Sequence, residues 1–290
     1  MVRLTHWTTV YPEEAARIRV TRRSYPRLET TPHCHDFTEL AIILGGSGRH
    51  VVDDHAYPFS AGDVFVLQGQ HAHCYREVCD LDIVEIQLHP GTAALLEDEL
   101  RMLPGYHALF VLEPQCRRQH RFQSRLQLDD GAMGQLTELL VPLLQEYAER
   151  RPGYQATLMG GYMQLVVYLS RCYSQTDHPP SRALLQLGEA ISRLDRQYQE
   201  SITVPELAAT AHLSVNQFLR VFKRATQMSP VAYLLQVRLR KAAELLAATD
   251  FSVTEVAFRV GFSDSNYFSR QFKLKYGMAP RAYRSRVPDN

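Results

Sequence analysis

The sequence lacks the marks of a membrane or secreted protein. None of its apolar runs reaches the roughly 20 consecutive residues that a membrane-spanning helix needs. The first residues, Met1 to His6, contain no apolar core like that of a signal peptide, so we expect none. The five cysteines are odd in number and include no C-x-x-C pair, which argues against a disulfide framework. These absences favour a cytoplasmic protein with reduced thiols and no membrane partner.

Lysine is absent from the first 222 residues, and this absence belongs to a wider division of charge. From Ser181 onward, 16 Lys+Arg stand against 9 Asp+Glu, a net charge of +7, whereas the first 180 residues hold 16 and 22, a net charge of −6. A basic module joined to an acidic one fits a DNA-binding part and a part with another task. We place a linker at 177–182, since Pro179 and Pro180 interrupt a helix. The expected domains are 1–176 and 183–290.

The last third of the chain repeats itself at an offset of fifty residues. Upstream, around Val204 and Val253, the offset is forty-nine, so one residue has been added near a turn. Repeats of this kind indicate a duplicated supersecondary unit. The identical pairs include Asn216 and Asn266, Phe218 and Phe268, Arg220 and Arg270, Phe222 and Phe272, Lys223 and Lys273, Pro230 and Pro280, and Tyr233 and Tyr283.

Each copy is predicted to form two short helices around a tight turn, which is the helix-turn-helix pattern. Ser214 has the character of an N-cap in the first copy, and Ser263 or Asp264 takes that place in the second. Gly261 suits a turn that requires positive φ. In such a unit the second helix enters the DNA major groove. The two units cover about 203–226 and about 253–276.

A long helix is predicted between the copies, starting at Pro230 and ending at about Ala248. Proline suits the first turn of a helix because its missing N–H has no partner there. At 1.5 Å per residue this helix spans roughly 28 Å, close to one DNA turn of about 34 Å. One rod of that length sets two recognition helices into successive major grooves on the same face of the DNA.

The outer faces of the two recognition helices carry polar and basic side chains. Arginine pairs with guanine and asparagine with adenine through two hydrogen bonds each, whereas lysine and serine suit phosphate. An ordinary solvated helix face is the alternative, but the same asparagine and arginine recur in both copies. The predicted DNA-binding residues are Asn216, Gln217, Arg220, Lys223, Arg224, Ser265, Asn266, Ser269, Arg270 and Lys273.

The two units resemble the DNA-binding domain of the AraC/XylS family of transcription regulators. The resemblance rests on the stretches Gly261 to Ser269 and Gly277 to Pro280, and it covers about the last hundred residues. It implies that the outer residues contact promoter DNA. It also implies an activator that contacts RNA polymerase.

The first ninety residues read as short strands separated by turn residues, including a hairpin turn at Asp53 and Asp54. This pattern predicts a small antiparallel barrel or jelly roll, so the fold class is α+β with an all-α C-terminal domain. No helical period is visible before Leu136. Two amphipathic helices then follow within about 135–175. Their apolar faces are buried either within one chain or against a second subunit, as in a homodimer.

A second polar group lies in the predicted barrel and consists of His33, His35, Glu39 and His73. Its spacing, H-x-H-x3-E-x6-G followed by G-x10-H, resembles the two cupin motifs, except that Gln68 and Gln70 stand where the second motif has proline and glycine. His33 and His35 share one face of a strand because side chains alternate. These residues suit a divalent metal, or they line a metal-free pocket. Metal-free sugar-binding cupins are familiar in this regulator family, so we expect no cofactor and keep a divalent metal as the alternative.

The stretches His35 to Leu40 and Gly62 to Phe65 resemble the L-rhamnose-responsive activators of the same family. That resemblance implies a monosaccharide effector, a deoxy-sugar, held by the four-residue polar group, with Trp7 and Tyr25 as candidate apolar faces. We therefore predict a ligand-responsive activator without enzymatic activity. The alternatives are a metal-dependent cupin enzyme fused to a DNA-binding domain, a regulator that responds to a non-sugar small molecule, and a constitutive DNA-binding protein whose barrel only dimerises.

Overall fold

The computed structural model describes residues 3–10, 17–68, 71–92, 99–118 and 126–286, so Gln70 lies outside the described residues. The chain divides into two compact units, Met1–Glu189 and Ala190–Asn290. Among the described helices, none combines the length and the apolar character that crossing a membrane requires.

The first unit is built on a sheet to which the described residues contribute eight strands. Apart from one short helix near the start, the described helices of this unit follow the first seven strands along the chain. The strands are β1 (Arg3–Thr5), β2 (Ile18–Tyr25), β3 (His33–His35), β4 (Thr38–Val52), β5 (His55–Ser60), β6 (Asp63–Leu67), β7 (His73–Leu88) and β8 (Leu126–Gln127). The helical segments are α1 (Trp7–Val10), α2 (Pro104–Tyr106), a π-helical segment (His107–Leu112), α3 (Glu113–Arg118), α4 (Asp130–Glu149) and α5 (Tyr154–Ser174).

Strands β4 and β7 form the centre of this sheet, because they pair with each other from Thr38 and Leu88 to Val52 and His73. The other edge of β4 pairs first with β6 and then with β5. Between these two halves the register shifts, and Gly46 adopts a φ of 80°. A Cβ at Gly46 would lie 2.3 Å from the carbonyl oxygen of Asp80, so only glycine fits this bend. The predicted hairpin turn is confirmed, since Asp53 and Asp54 take φ values of 44° and 69°.

The sheet-rich first unit is confirmed, but the prediction of a wholly antiparallel sheet is wrong at one edge. Strand β1 pairs with β3 in parallel, from Arg3 opposite His33 to Thr5 opposite His35. A tight hairpin fixes its two strands as antiparallel, whereas a long connection leaves either direction open. The chain between β1 and β3 is such a connection, because it contains α1 and the whole of β2.

Alternation along the strands separates two layers of side chains. Even-numbered residues of β4 and β6, such as Leu40 and Val64, pack in one cluster with Leu136, Leu140 and Leu165 of α4 and α5. Odd-numbered residues face the opposite side of the sheet, where the apolar members are Ala41, Ile43, Phe65, Leu67, Leu81 and Ile83. Buried residues of α4 and α5 thus pack on the sheet within one chain.

Helical segments lie between Pro104 and Arg118, where the sequence shows no helical period. Ala108 to Phe110 are all buried, so this part of the chain is apolar on every side and shows no helical period. Pro104 lies at the start of α2, where its missing N–H is not needed.

The second unit is helical. Helix α6 (Pro179–Arg196) contains the division between the units and runs through the predicted linker at 177–182. That linker prediction is wrong because both prolines lie in the first turn of a helix, where their fixed φ is favourable. The remaining helices are α7 (Val204–Thr210), α8 (Val215–Thr226), α9 (Pro230–Ala248), α10 (Val253–Arg259), α11 (Ser265–Tyr276) and α12 (Pro280–Arg284).

The duplication seen in the sequence is repeated in the packing of the second unit. The Phe222 and Tyr233 rings meet edge to face at 5.7 Å, and their counterparts Phe272 and Tyr283 do so at 5.4 Å. Gly261 makes its turn at a φ of 91°, as predicted. Both predicted helix pairs are therefore confirmed, and so is the long helix α9 between them.

The ends of the recognition helices are capped by side chains. Ser214 accepts a hydrogen bond from the N–H of Gln217, while Asp264 accepts from the N–H groups of Asn266 and Tyr267. These caps satisfy backbone donors that have no partner within the helix. They fix where α8 and α11 begin.

Candidate effector site and DNA-binding surface

The side of the sheet that carries the odd-numbered residues, here called the interior side, lines a partly open cavity of about 210 Å³. Drug-sized ligands occupy pockets of roughly 300–1,000 Å³, so this cavity suits a smaller molecule. Three of the four predicted effector residues, His33, His35 and Glu39, line it directly. The other lining residues are Thr5, Arg19, Arg23, Tyr25, Leu28, Thr30, Phe37, Tyr75, Leu81, Ile83, Glu85 and Gln87.

The fourth predicted residue, His73, lies behind this wall and supports it. Its ring centre is 4.5 Å from that of His33 and 5.0 Å from that of His35. Strand pairing explains the contact, because His33 of β3 lies opposite His73 of β7. The structure therefore brings all four predicted residues together, with His73 removed from the cavity itself.

The three imidazoles are held in one tautomer by backbone carbonyls. The Nδ1 atoms of His33, His35 and His73 lie 3.1, 2.8 and 3.1 Å from the carbonyl oxygens of Thr31, Phe37 and His71. A carbonyl oxygen only accepts, so each Nδ1 carries the proton and each neutral ring keeps Nε2 as an acceptor. The Nε2 atom of His35 is buried and has no hydrogen-bond partner in the described structure. It is available to a ligand hydroxyl or to a cation.

Burial favours the neutral forms of His35 and His73. It lowers the pKa of His35 to about 4 and that of His73 to about 3, and the neighbouring imidazoles add to the lowering. Burial also raises the pKa of Glu39. The pKa of Glu85 rises to about 7, through burial and then through the charge of Glu39. The cavity thus combines the carboxyl groups of Glu39 and Glu85 with the guanidinium groups of Arg19 and Arg23. Such a lining suits a ligand that both donates and accepts hydrogen bonds.

Polar residues of the cavity that were not predicted from the sequence include Arg19, Arg23, Glu85 and Gln87. The Gln87 amide donates to Glu39 at 2.7 Å, and an Arg23 nitrogen lies 3.8 Å from a Glu85 oxygen. All four lie on β2 and β7, which pair along their length. Their odd numbers match the apolar residues of the interior face, and this alternation is the signal that could have found them.

Of the two aromatic residues that were predicted as apolar faces for a sugar, only one lines the cavity. Tyr25 lines the cavity. Trp7 is buried instead against Phe37 and His89, with ring centres 5.6 Å from each, and belongs to the core.

A divalent cation fits part of the predicted group. His35, Glu39 and His73 each offer a ligand atom, and these three atoms lie within 4.8 Å of one another. Two imidazoles and a carboxylate form a donor set typical of such ions. His33 is not part of this tighter group, although it lines the cavity.

The predicted DNA-binding residues lie on the solvent side of α8 and α11. Phe218 and Phe222 are buried, while Asn216, Arg220 and Lys223 are exposed on the other side of α8. The second copy repeats the arrangement: Phe268 and Phe272 are buried, and Asn266, Arg270 and Lys273 are exposed. The remaining candidates Arg224, Ser265 and Ser269 are partly exposed.

Gln217 has a structural task that the sequence analysis did not assign. Its side-chain oxygen accepts from the backbone N–H of Ser214 at 3.2 Å and from the Ser214 hydroxyl at 2.8 Å. This interaction completes a capping box at the start of α8. The amide oxygen of Gln217 thus already accepts hydrogen bonds within the protein, although the residue is exposed to solvent.

Known proteins share both units. An AraC-like ligand binding domain model matches residues 16–166, and a helix-turn-helix domain model matches residues 207–286. The chain is 31% identical over 265 residues to the HTH-type transcriptional activator RhaR of Enterobacter sp. (strain 638), a match that covers 90% of this chain and 89% of that protein. It is 29% identical over 279 residues to the HTH-type transcriptional activator RhaS of Escherichia fergusonii, which covers 96% of each.

A solved structure resembles the C-terminal part. It is a transcriptional regulator with an AraC-type DNA-binding domain from Chromobacterium violaceum, 28% identical, covering 36% of this chain and 93% of that chain with a TM-score of 0.34. The family models and the curated relatives together span both units, with the ligand-binding match on the sheet and the helix-turn-helix match on the duplicated helices. The chain therefore belongs to the AraC family of DNA-binding transcription regulators.

Proposed function

We propose that this protein is a one-component transcription activator, in which a small molecule bound in the cavity controls the engagement of promoter DNA. The observation that carries the proposal is the presence, in one chain, of a polar cavity and of a duplicated helix-turn-helix with exposed Asn and Arg pairs. RhaR and RhaS are named as transcriptional activators, which supports the activating direction.

The effector that suits the cavity best is a deoxyhexose such as L-rhamnose. Its hydroxyl groups both donate and accept, and the cavity offers acceptors in the histidine Nε2 atoms and donors in Arg19 and Arg23. Its methyl group suits the apolar lining, to which Leu28 and Ile83 contribute. The resemblance of His35 to Leu40 to rhamnose-responsive activators supports the same class of effector.

The effector proposal is tested by thermal unfolding of the full-length chain with L-rhamnose, L-fucose, D-glucose and glycerol. A ligand present at a hundredfold its Kd stabilises the folded state by about 2.7 kcal/mol. We expect a rise in Tm with a deoxyhexose and no rise with glycerol. The double variant His33→Ala, His35→Ala removes two acceptors and is expected to abolish the rise. A variant that keeps the full shift places the ligand elsewhere.

A metal-dependent site is the second candidate, and the buried, unpartnered Nε2 of His35 beside Glu39 is the observation that favours it. Removal of metal ions with a chelator distinguishes the sugar-only site from the metal-dependent site. The sugar-only site predicts the same deoxyhexose shift before and after exhaustive EDTA treatment. A shift that disappears with EDTA and returns with a divalent ion assigns the site to a metal. Sugar turnover that depends on the ion would instead support the enzyme reading.

We further propose that the regulator acts in the cytoplasm as a homodimer and contacts RNA polymerase at the promoter. Closed twofold assembly is the commonest oligomeric form of regulators that bind paired sites. Sedimentation of the full-length chain with and without deoxyhexose tests the dimer. Transcription with purified RNA polymerase tests the contact, because an activator raises the transcript yield at a promoter where polymerase alone is weak.

A further inference from the structure

The second recognition helix carries an apolar side chain where the first carries a positive charge. In α8, Asn216, Arg220 and Arg224 follow one another at intervals of four residues, so they form one stripe. In α11, the corresponding stripe is Asn266, Arg270 and Leu274. Leu274 is 79% exposed, more than the other exposed large hydrophobic residues of the described chain.

A second apolar residue lies beside Leu274. Tyr267 is seven residues earlier in α11, about two turns, and is 40% exposed. Its ring centre is 6.0 Å from that of Phe262, so the turn of the helix-turn-helix holds one side of the tyrosine. The first copy has Gln217 at this position. Tyr267 and Leu274 therefore form an apolar patch beside Arg270, at positions where the first recognition helix has Gln217 and Arg224. The exposed apolar residues of α8, Val215 and Leu219, lie at other positions, which correspond to Ser265 and Ser269.

The chemistry of the DNA surface limits what this patch can contact. Phosphate oxygens are poor partners for a leucine, and most base edges offer hydrogen-bonding groups. The apolar group of the major groove is the C5-methyl of thymine. Leu274 shares its stripe with Asn266 and Arg270, and the exposed Lys273 of the same helix suits phosphate. Contact with DNA is thus favoured over contact with another protein.

We propose that Tyr267 and Leu274 read thymine methyl groups in the second half of the binding site, next to the base pair that Arg270 contacts. The proposal rests on the proposed DNA-binding function. The two half-sites then have the same bases in common: Asn216 and Arg220 read them in the first half-site, and Asn266 and Arg270 read them in the second. They differ at the flanking position, where the first copy places Arg224 and the second requires thymine.

The test uses the full-length chain and binding sites selected from a random DNA pool. Each thymine of the second half-site is replaced in turn by deoxyuridine, which removes the methyl group and leaves the base pair intact. A buried methyl group is worth about fourfold in affinity. We expect wild-type protein to lose about fourfold at one or two adjacent thymines. Leu274→Ala is expected to lose a similar factor on the thymine site and to be indifferent to deoxyuridine.

Arg224→Ala is the matched control in the first copy. It is expected to weaken thymine and deoxyuridine sites equally and to reduce the salt dependence of binding, as loss of a phosphate contact does. Since Leu274 is so exposed, Leu274→Ala should unfold at the wild-type temperature, which a melting curve checks.

Three results overturn the inference. The first is a wild-type affinity that stays the same with deoxyuridine at every thymine, and the second is a Leu274→Ala variant that keeps the full deoxyuridine penalty. The third is a Leu274→Ala variant that binds DNA like the wild-type protein but activates transcription less, a result that assigns the patch to a protein partner. Failure of the underlying function looks different, because wild-type protein then enriches no sequence from the pool.

Discussion

The two units of this protein assemble their binding residues in opposite ways. In the second unit, Asn216 and Arg220 come from one turn of one helix, and α11 repeats the arrangement. In the first unit, the cavity collects side chains from β2, β3, β4 and β7, which are distant in sequence and meet only through strand register. A recognition stripe is therefore a local property, whereas the effector site depends on the whole sheet. Mutations should separate the two functions accordingly.

Removal of a buried ring from the second unit is the largest expected effect. Phe272 is fully buried on the inner face of α11, and its counterpart Phe222 is fully buried on the inner face of α8. Phe272→Ala should lower the free energy of unfolding of this unit by about 3–5 kcal/mol, since a large cavity replaces the ring. Urea unfolding measures the cost, with Phe222→Ala as the matched variant. If Phe272→Ala also removes the deoxyhexose shift, the separation between the units is broken.

Glu39→Gln should affect only the effector side of the comparison. The substitution keeps the shape of the side chain and removes a charge-assisted hydrogen-bond acceptor beside Gln87. We expect effector affinity to fall by roughly 1.5–3 kcal/mol, or about ten- to a hundredfold. Isothermal titration measures this change. DNA affinity without effector should stay at the wild-type value, and a loss there would show that Glu39 supports the fold of the whole chain.

The two recognition arginines should show the converse behaviour. Arg220→Ala and Arg270→Ala are each expected to cost roughly 1–3 kcal/mol at a selected site, because each loses a bidentate contact to a base. The preference for particular base pairs should weaken at two positions of the DNA site, about one helical turn of DNA apart. Lys223→Ala is the control and should weaken all sequences alike. Equal losses on selected and random DNA would make the arginines phosphate contacts.

Neighbouring arginines of β2 offer the smallest and finest test of the cavity. Arg23 lines it, whereas Arg22 faces the other side and pairs with Asp82 at 2.7 Å in an exposed ion pair. Arg22→Ala should change stability by about 1 kcal/mol or less and leave effector binding intact. Arg23→Ala should weaken effector binding measurably. Titration of both variants with deoxyhexose checks this, and equal affinities would remove β2 from the site.

The sequence predicts the second unit well because its signals are local. The N-cap at Ser214, the turn at Gly261 and the start of α9 at Pro230 each follow from a few adjacent residues. The error at Pro179 is also local: two prolines signal a break in the middle of a helix, but they are favourable in its first turn. Only the three-dimensional contacts decide which of these applies.

The first unit is less predictable because its site depends on register. The motif spacing singled out His33, His35, Glu39 and His73, and these side chains do lie close together in the structure. Arg19 and Glu85 were not predicted, because neither lies in a motif. Their proximity depends on how β2 pairs with β7. The helical segments from Pro104 to Arg118 were missed for another reason, since a chain buried on all sides has no amphipathic period.

The most direct test of the account measures the affinity of the full-length chain for a selected promoter site, with and without L-rhamnose. Coupling between two sites typically changes affinity by about 5- to 150-fold. We expect a gain of that order for wild-type protein, and none for the double variant His33→Ala, His35→Ala at the same sugar concentration. Fluorescence anisotropy at fixed salt reads both. Wild-type protein that binds the site equally well with and without the sugar would contradict the claim that the cavity controls DNA binding.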